Sequence, residues 1–120
     1  MLCLDTYALM EIQLANPKFA QLTDEEFTIT EWTLTEFYRV LLRENISPAA
    51  RYWVNKFIPF CSHVPMPILL NAIDFRSQNK KRELSIFDCV GYIFSRDKNY
   101  KFVTGDKEFE NMPGVLFIRK

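Results

Sequence analysis

Short apolar runs alternate with longer helical patterns along this chain, and that alternation narrows its fold more than any other feature. The runs at 2–4 (Leu-Cys-Leu), 27–30 (Phe-Thr-Ile-Thr), 58–61 (Ile-Pro-Phe-Cys), 101–104 (Lys-Phe-Val-Thr) and 115–118 (Val-Leu-Phe-Ile) have the length and composition of strands. Helical spacing fills the gaps. Trp32, Leu34, Phe37, Val40 and Leu41 follow one such pattern over 31–43, and further helices fit 6–15, 48–57, 66–77 and 85–96. Ser47 and Pro48 read as a cap and a first-turn proline for the 48–57 helix. Strands separated by helices predict an α/β fold with a mainly parallel sheet and right-handed crossovers. In open sheets of that kind, ligands bind beyond the carboxyl ends of the strands.

The remaining composition bounds the answer without naming it. A chain of 120 residues, 48% of them apolar, has the size of one domain with a genuine core, and no repeat, low-complexity tract or linker suggests a second. Fifteen Lys and Arg balance fifteen Asp and Glu, so any attraction for a polyanion must come from a local patch or a bound metal. With 3 glycines there is no phosphate-cradling glycine-rich loop, which sets nucleotide-binding fingerprints aside. Cys3, Cys61 and Cys89 lie in apolar surroundings without ligand spacing, as expected of buried free thiols in a reducing compartment. No basic leader precedes an apolar stretch, and no apolar run reaches the roughly 18 residues of a membrane span. A soluble, cytoplasmic protein with no membrane partner is the expectation.

Four acids stand where a strand ends or a helix begins. Asp5 closes the first run ahead of Thr6-Tyr7-Ala8-Leu9, the place of a helix cap. Glu36 lies inside 31–43 with Arg39 three residues on, which suits a surface ion pair worth a few tenths of a kcal/mol. Asp88 follows Ser85 by three residues in a capping-box arrangement, at the head of a helix that is apolar on nearly every side. Asp106 follows Thr104-Gly105 directly after a strand, where turn chemistry explains it. Each acid alone has an ordinary structural role. On a parallel sheet, however, all four arrive at one edge, and crowded carboxylates raise one another's pKa unless a cation joins them. Hard divalent cations take oxygen ligands, so a metal site is the economical explanation.

The segments that carry these acids resemble, in order and spacing, the successive motifs of PIN domains: Leu4-Asp5-Thr6, Thr35-Glu36-Phe37, the Ser85-x-x-Asp88 helix entry, and Val103-Thr104-Gly105-Asp106-Lys107-Glu108-Phe109. The likeness runs from Asp5 to the final strand, and its last motif is the most specific. Short single-domain chains of this kind are similar to VapC-type toxins of bacterial and archaeal toxin–antitoxin systems. The resemblance implies a three-layer α/β/α sandwich with a five-stranded parallel sheet and a Mg²⁺- or Mn²⁺-dependent ribonuclease site. It places Asp5, Glu36, Asp88 and Asp106 at the family's acidic positions and Thr6 and Thr104 at its supporting polar ones. Asp5, Asp88 and Asp106 are then the metal ligands, with Glu36 binding metal or ordering its water shell. Where the family often has another Asp, this chain has Glu108, a methylene longer. Cys89 replaces a common alanine, a change expected to affect packing only. The resemblance further implies RNA as substrate, a homodimer, and a cognate antitoxin whose tail covers the site.

Hydrolysis by water should leave a 5′-phosphate and a 3′-hydroxyl, whereas a metal-free ribonuclease would need a positioned general acid and base, usually two histidines. This chain has only His63, expected to be structural. For RNA contacts the sequence offers Lys80, Lys81 and Arg82, ahead of the Ser85 helix entrance, with Arg76 and Lys107 as flanking candidates and a solvated loop as the bland alternative. The aromatics Trp32, Phe37, Tyr38, Trp53 and Phe57 are expected mostly in the core, any exposed remainder forming a groove for a helix or a twin subunit. Two readings compete with the metal ribonuclease: a PIN-like binding or scaffold module with weak or no catalysis, and a flap-type DNA nuclease.

Overall fold

Residue alternation along the central strands builds a sheet with two buried faces. In the computed structural model, which describes residues 1–120, β1 (Leu2–Leu4) pairs with β2 (Phe27–Thr30) on one side and β4 (Lys101–Thr104) on the other. The edges are β3 (Cys61–Ser62), beside β2, and β5 (Val115–Phe117), beside β4. All pairings are parallel, in the order β3-β2-β1-β4-β5, with Leu4 opposite Val103 and Thr104 opposite Phe117. Leu4, Ile29 and Val103 point to one face, while Cys3 and Phe102 point to the other, as the period of two requires.

The first face is covered by α1 (Thr6–Gln13), the short α2 (Pro17–Ala20), α3 (Glu31–Arg43) and α4 (Ala49–Phe57). Phe27, Phe37 and Phe57 interlock there edge-on, Phe37 and Phe57 at 5.9 Å between centroids. Each is nearly or fully buried, and burying such a ring contributes about 1.5–3 kcal/mol. The second face carries α5 (Met66–Gln78) and α6 (Ile86–Lys98), packed through Val90, Tyr92 and Phe94 onto Phe102 and Phe109. The result is the expected α/β/α sandwich. No helix is long and apolar enough to cross a membrane.

Two local expectations are corrected. The third strand does not span 58–61: Ile58–Phe60 form a 3-10 turn, and pairing begins at Cys61, since Pro59 lacks a donor for the ladder. Ser47 does not cap α4, because Pro48 itself occupies the cap position and no side chain caps that helix. One element, α2, escaped the sequence reading although Asn16-Pro17 is a good start signal, with the Asn16 side chain accepting from Lys18 N at 3.1 Å. All three cysteines are free, Cys3 and Cys89 fully buried. Of the aromatic set, Phe37 and Phe57 are core; Trp32, Tyr38 and Trp53 are half-buried, Trp32 packing on Phe87 at 5.9 Å.

Candidate active site

Each acid is brought to the carboxyl edge of the sheet by a local reason of its own. Asp5 leaves β1 and caps α1, its Oδ1 accepting from Ala8 N at 2.8 Å. Asp106 leaves β4 and caps the 3-10 turn Lys107–Phe109, accepting from Glu108 N at 3.0 Å. Ser85 caps α6 by accepting from Asp88 N at 3.0 Å, which leaves the Asp88 carboxyl facing outward from the helix head. Glu36 projects from the middle of α3, its Oε1 accepting from the Thr6 hydroxyl at 2.6 Å. The Asp5 cap, the Ser85 cap ahead of Asp88 and the Glu36–Arg39 pair at 3.7 Å are therefore present, and they aim the carboxyls together. Asp5, Glu36, Asp88 and Asp106 all line one cavity of about 270 Å³.

Burial makes this concentration of acid unfavourable. Asp5 is 1% exposed and its carboxyl is held well above the ordinary range, first by burial and then by the charge of Asp88; hydrogen bonds from Thr104 and Ala8 N oppose the shift, and Asp106 adds to it. Asp88 is pushed up to about 7, again by burial first, then by Glu36 and Asp106, with the Ser85 hydroxyl opposing. Thr104 serves both neighbours, since its Oγ1 also accepts from Asp106 N at 3.0 Å. Carboxyls crowded in this way favour positive charge beside them, and Arg39 and Arg43 also line the cavity.

The donor set is entirely carboxyl oxygen, the chemistry that Mg²⁺ or Mn²⁺ takes. No three His, Cys, Asp or Glu side chains yet converge into a finished ligand group. Asp5, Glu36 and Asp106 are each engaged by a neighbouring donor through one carboxylate oxygen.

Other expected residues divide. Thr6 and Thr104 are buried, the Thr6 hydroxyl donating to Glu36 and Thr104 Oγ1 accepting from Asp106 N. Glu108 stays outside the lining; its backbone N–H, not its carboxyl, serves Asp106. Lys80 and Arg82 line a separate cavity of about 500 Å³ together with Arg76, and Lys81 and Lys107 line neither. Arg82 Nη1 donates to Glu108 O at 2.7 Å, so that basic cavity abuts the turn carrying Asp106. His63 is on the surface, its Nδ1 2.7 Å from Glu31, away from the acids. Sequence reasoning missed Tyr7, Glu11, Arg39 and Arg43 in the acid cavity; Glu11 is buried on α1, accepting from Asn16 Nδ2 at 2.9 Å with Lys120 Nζ 3.6 Å away. Helical spacing from Glu36 puts the two arginines on its face, three and seven positions on, but does not say that this face borders the cavity.

No protein-family model matches the sequence, and no curated protein matches it. Solved structures do. VapC20 of Mycobacterium tuberculosis, a toxin that cleaves the sarcin–ricin loop, superposes with a TM-score of 0.82 at 17% identity, each chain covered over 100% of its length. A chain of a toxin–antitoxin complex from Klebsiella pneumoniae gives 0.77 at 15% identity, again with 100% of both chains covered. FitAcB from Neisseria gonorrhoeae gives 0.64 at 16% identity over 98% of this chain and 97% of its own. The chain has the PIN-domain fold. At these identities the likeness speaks for the fold, and the residues of the acid edge must carry any argument about chemistry. Within the PIN fold, the edge that collects Asp5, Glu36, Asp88 and Asp106 is the carboxyl edge, where open α/β sheets hold their ligands.

Proposed function

We propose that this protein is a divalent-metal-dependent endoribonuclease, the toxin of a toxin–antitoxin pair, with the acid cavity as its active site. One observation carries the reading: the carboxyls of Asp5, Glu36, Asp88 and Asp106, from four different parts of the chain, line a single cavity at the sheet's carboxyl edge, with Glu11 of α1 as a fifth. Asp5, Asp88 and Asp106 would hold Mg²⁺ or Mn²⁺. Such an ion supplies Lewis acidity, neutralising charge on the phosphate and activating water for attack. The chain's own part is positional. Thr6 fixes Glu36, which orients water at the cavity, and Thr104 steadies Asp5 and Asp106 against their mutual repulsion. A two-histidine mechanism is excluded by count, as His63 stands alone and apart.

Several features support RNA and protein partners. The cavity of Arg76, Lys80 and Arg82 adjoins the Asp106 turn and offers cationic surface to an incoming phosphate backbone. Met66, Leu70 and Ile73 remain exposed along one face of α5, and Tyr52, Ile58 and Phe60 around α4, leaving apolar surface for a twin subunit and an antitoxin. The unfinished convergence of the carboxyls favours the second reading, a PIN-fold binding module without catalysis.

Activity of variants separates these. Wild-type protein with Mg²⁺ or Mn²⁺ should cut structured RNA and stop when a chelator is added, while Asp5→Asn and Asp88→Asn should each lower cleavage at least about 100-fold, the scale on which removing a metal-site group acts. Full activity in both variants contradicts the metal site, intact RNA with wild type favours the binding module, and preferred cutting of branched DNA favours the flap-type nuclease.

A further inference from the structure

The cavity that gathers the acids has a second wall made of cations, and nothing in the acid chemistry requires it. Arg39 and Arg43 lie one turn apart on α3, on the same face as Glu36, and both line the acid cavity. Neither is consumed by the fold. Their side chains are each 60% exposed, and their ion pairs are long: Arg39 Nη2 to Glu36 Oε2 at 3.7 Å, Arg43 Nε to Glu44 Oε1 at 3.9 Å. A charge-assisted hydrogen bond closes to about 2.7–2.9 Å, so both guanidinium groups keep their donors available. Glu36 is meanwhile satisfied by Thr6 at 2.6 Å and does not depend on Arg39. Arg39 is positioned all the same, its guanidinium carbon 5.9 Å from the centre of the Phe87 ring, one residue before Asp88.

From this placement we infer that Arg39 and Arg43 form a phosphodiester clamp on the α3 wall, gripping backbone phosphates of the RNA strand beside the bond to be cut. The inference rests on the ribonuclease reading and adds a route for the substrate. A guanidinium presents a planar fork of donors that matches phosphate oxygens in pairs. Two forks at i,i+4 sit about 5–6 Å apart at their Cβ atoms, so one strand can meet both at once. The acids alone would repel that strand. With the clamp, the strand is led along α3 and across the acid edge, towards the Arg76–Lys80–Arg82 cavity beyond the Asp106 turn. Exposed arginines at a cavity mouth have an ordinary alternative, to offset the carboxylates, but the long separations show how little pairing they achieve.

The test is RNA binding measured apart from cleavage. Full-length Asp5→Asn protein serves as parent, since Asn caps α1 as well as Asp does. Fluorescence anisotropy with a labelled single-stranded RNA in Mg²⁺, over a salt series, is compared for the parent and for added Arg39→Gln, Arg43→Gln and the pair. Each single change should weaken binding about 5–10-fold at low salt and reduce the slope of log K against log salt by about 0.7, the double change by about twice that, with unchanged melting temperatures. Arg→Lys at both positions should restore the slope and part of the affinity. Parent-like affinity and slope in the double variant overturn the clamp while leaving the ribonuclease reading in place. Failure of the parent to bind RNA at any salt overturns the clamp, and it overturns the ribonuclease reading too if wild-type protein in Mg²⁺ leaves the same RNA uncut.

Discussion

Asp88 shows most clearly how one residue can satisfy a local rule and still cost the fold stability. It follows its cap by the spacing that a capping box requires, yet its carboxyl lies among other acids and titrates near 7. The folded chain therefore binds a proton there that the unfolded chain, with an ordinary carboxyl near about 3.9, has already released. Stability conferred by that proton is complete below about pH 4 and is lost as pH rises towards 7; Asp5, also raised, acts in the same direction. Without divalent metal, Asp88→Asn should then melt about 3–5 °C higher than wild type at pH 8, the shift produced by ~1 kcal/mol in a domain of this size. The gap should narrow towards pH 5, as scanning calorimetry at the two pH values would register. A lower melting point for the variant at pH 8 would show that the Asp88 carboxyl stabilises the head of α6 more than its neighbours repel it.

At the scale of elements, the sequence was informative where a rule is local and silent where it depends on how one element lies against another. The strand-end acids were legible because a parallel sheet has one carboxyl edge, whatever its details. Arg39 and Arg43 were not, because 3.6-residue spacing says which residues share a face and not which cavity that face borders. β3 slid to Cys61–Ser62 and Pro48 became a cap in its own right because proline restricts backbone and donors beyond what apolar pattern records. The turn after β4 supplies a test of element packing. A Cβ on Gly105 would run into the ring of Tyr7, which lines the acid cavity from α1 and packs against Phe19. Gly105→Ala should cost about 1–3 kcal/mol in chemical denaturation, as overpacking does. A cost near zero would mean that Tyr7 moves freely and takes no part in shaping the cavity.

Across the whole molecule, the separate pieces act as one arrangement. Two apolar layers hold β1 and β4 side by side, which sets Asp5 beside Asp106; α6 delivers Asp88 from the second layer, and α3 delivers Glu36 from the first. No single element contains the site, so its existence depends on the sandwich, and its cost in repulsion is met by burial elsewhere. That dependence also explains what a sequence can reveal of it: the positions of the acids and the order of strands, but not the closeness of the carboxyls or the walls around them. The central claim is that this edge is a divalent-ion nuclease site, and its most direct test is the chemistry of the cut ends. Purified protein should be incubated with RNA in Mg²⁺ or Mn²⁺ and in chelator, and the fragments mapped by their terminal groups. The account predicts 5′-phosphate and 3′-hydroxyl ends formed only with the metal; cleavage that continues in chelator, or that leaves 2′,3′-cyclic phosphate, would contradict it.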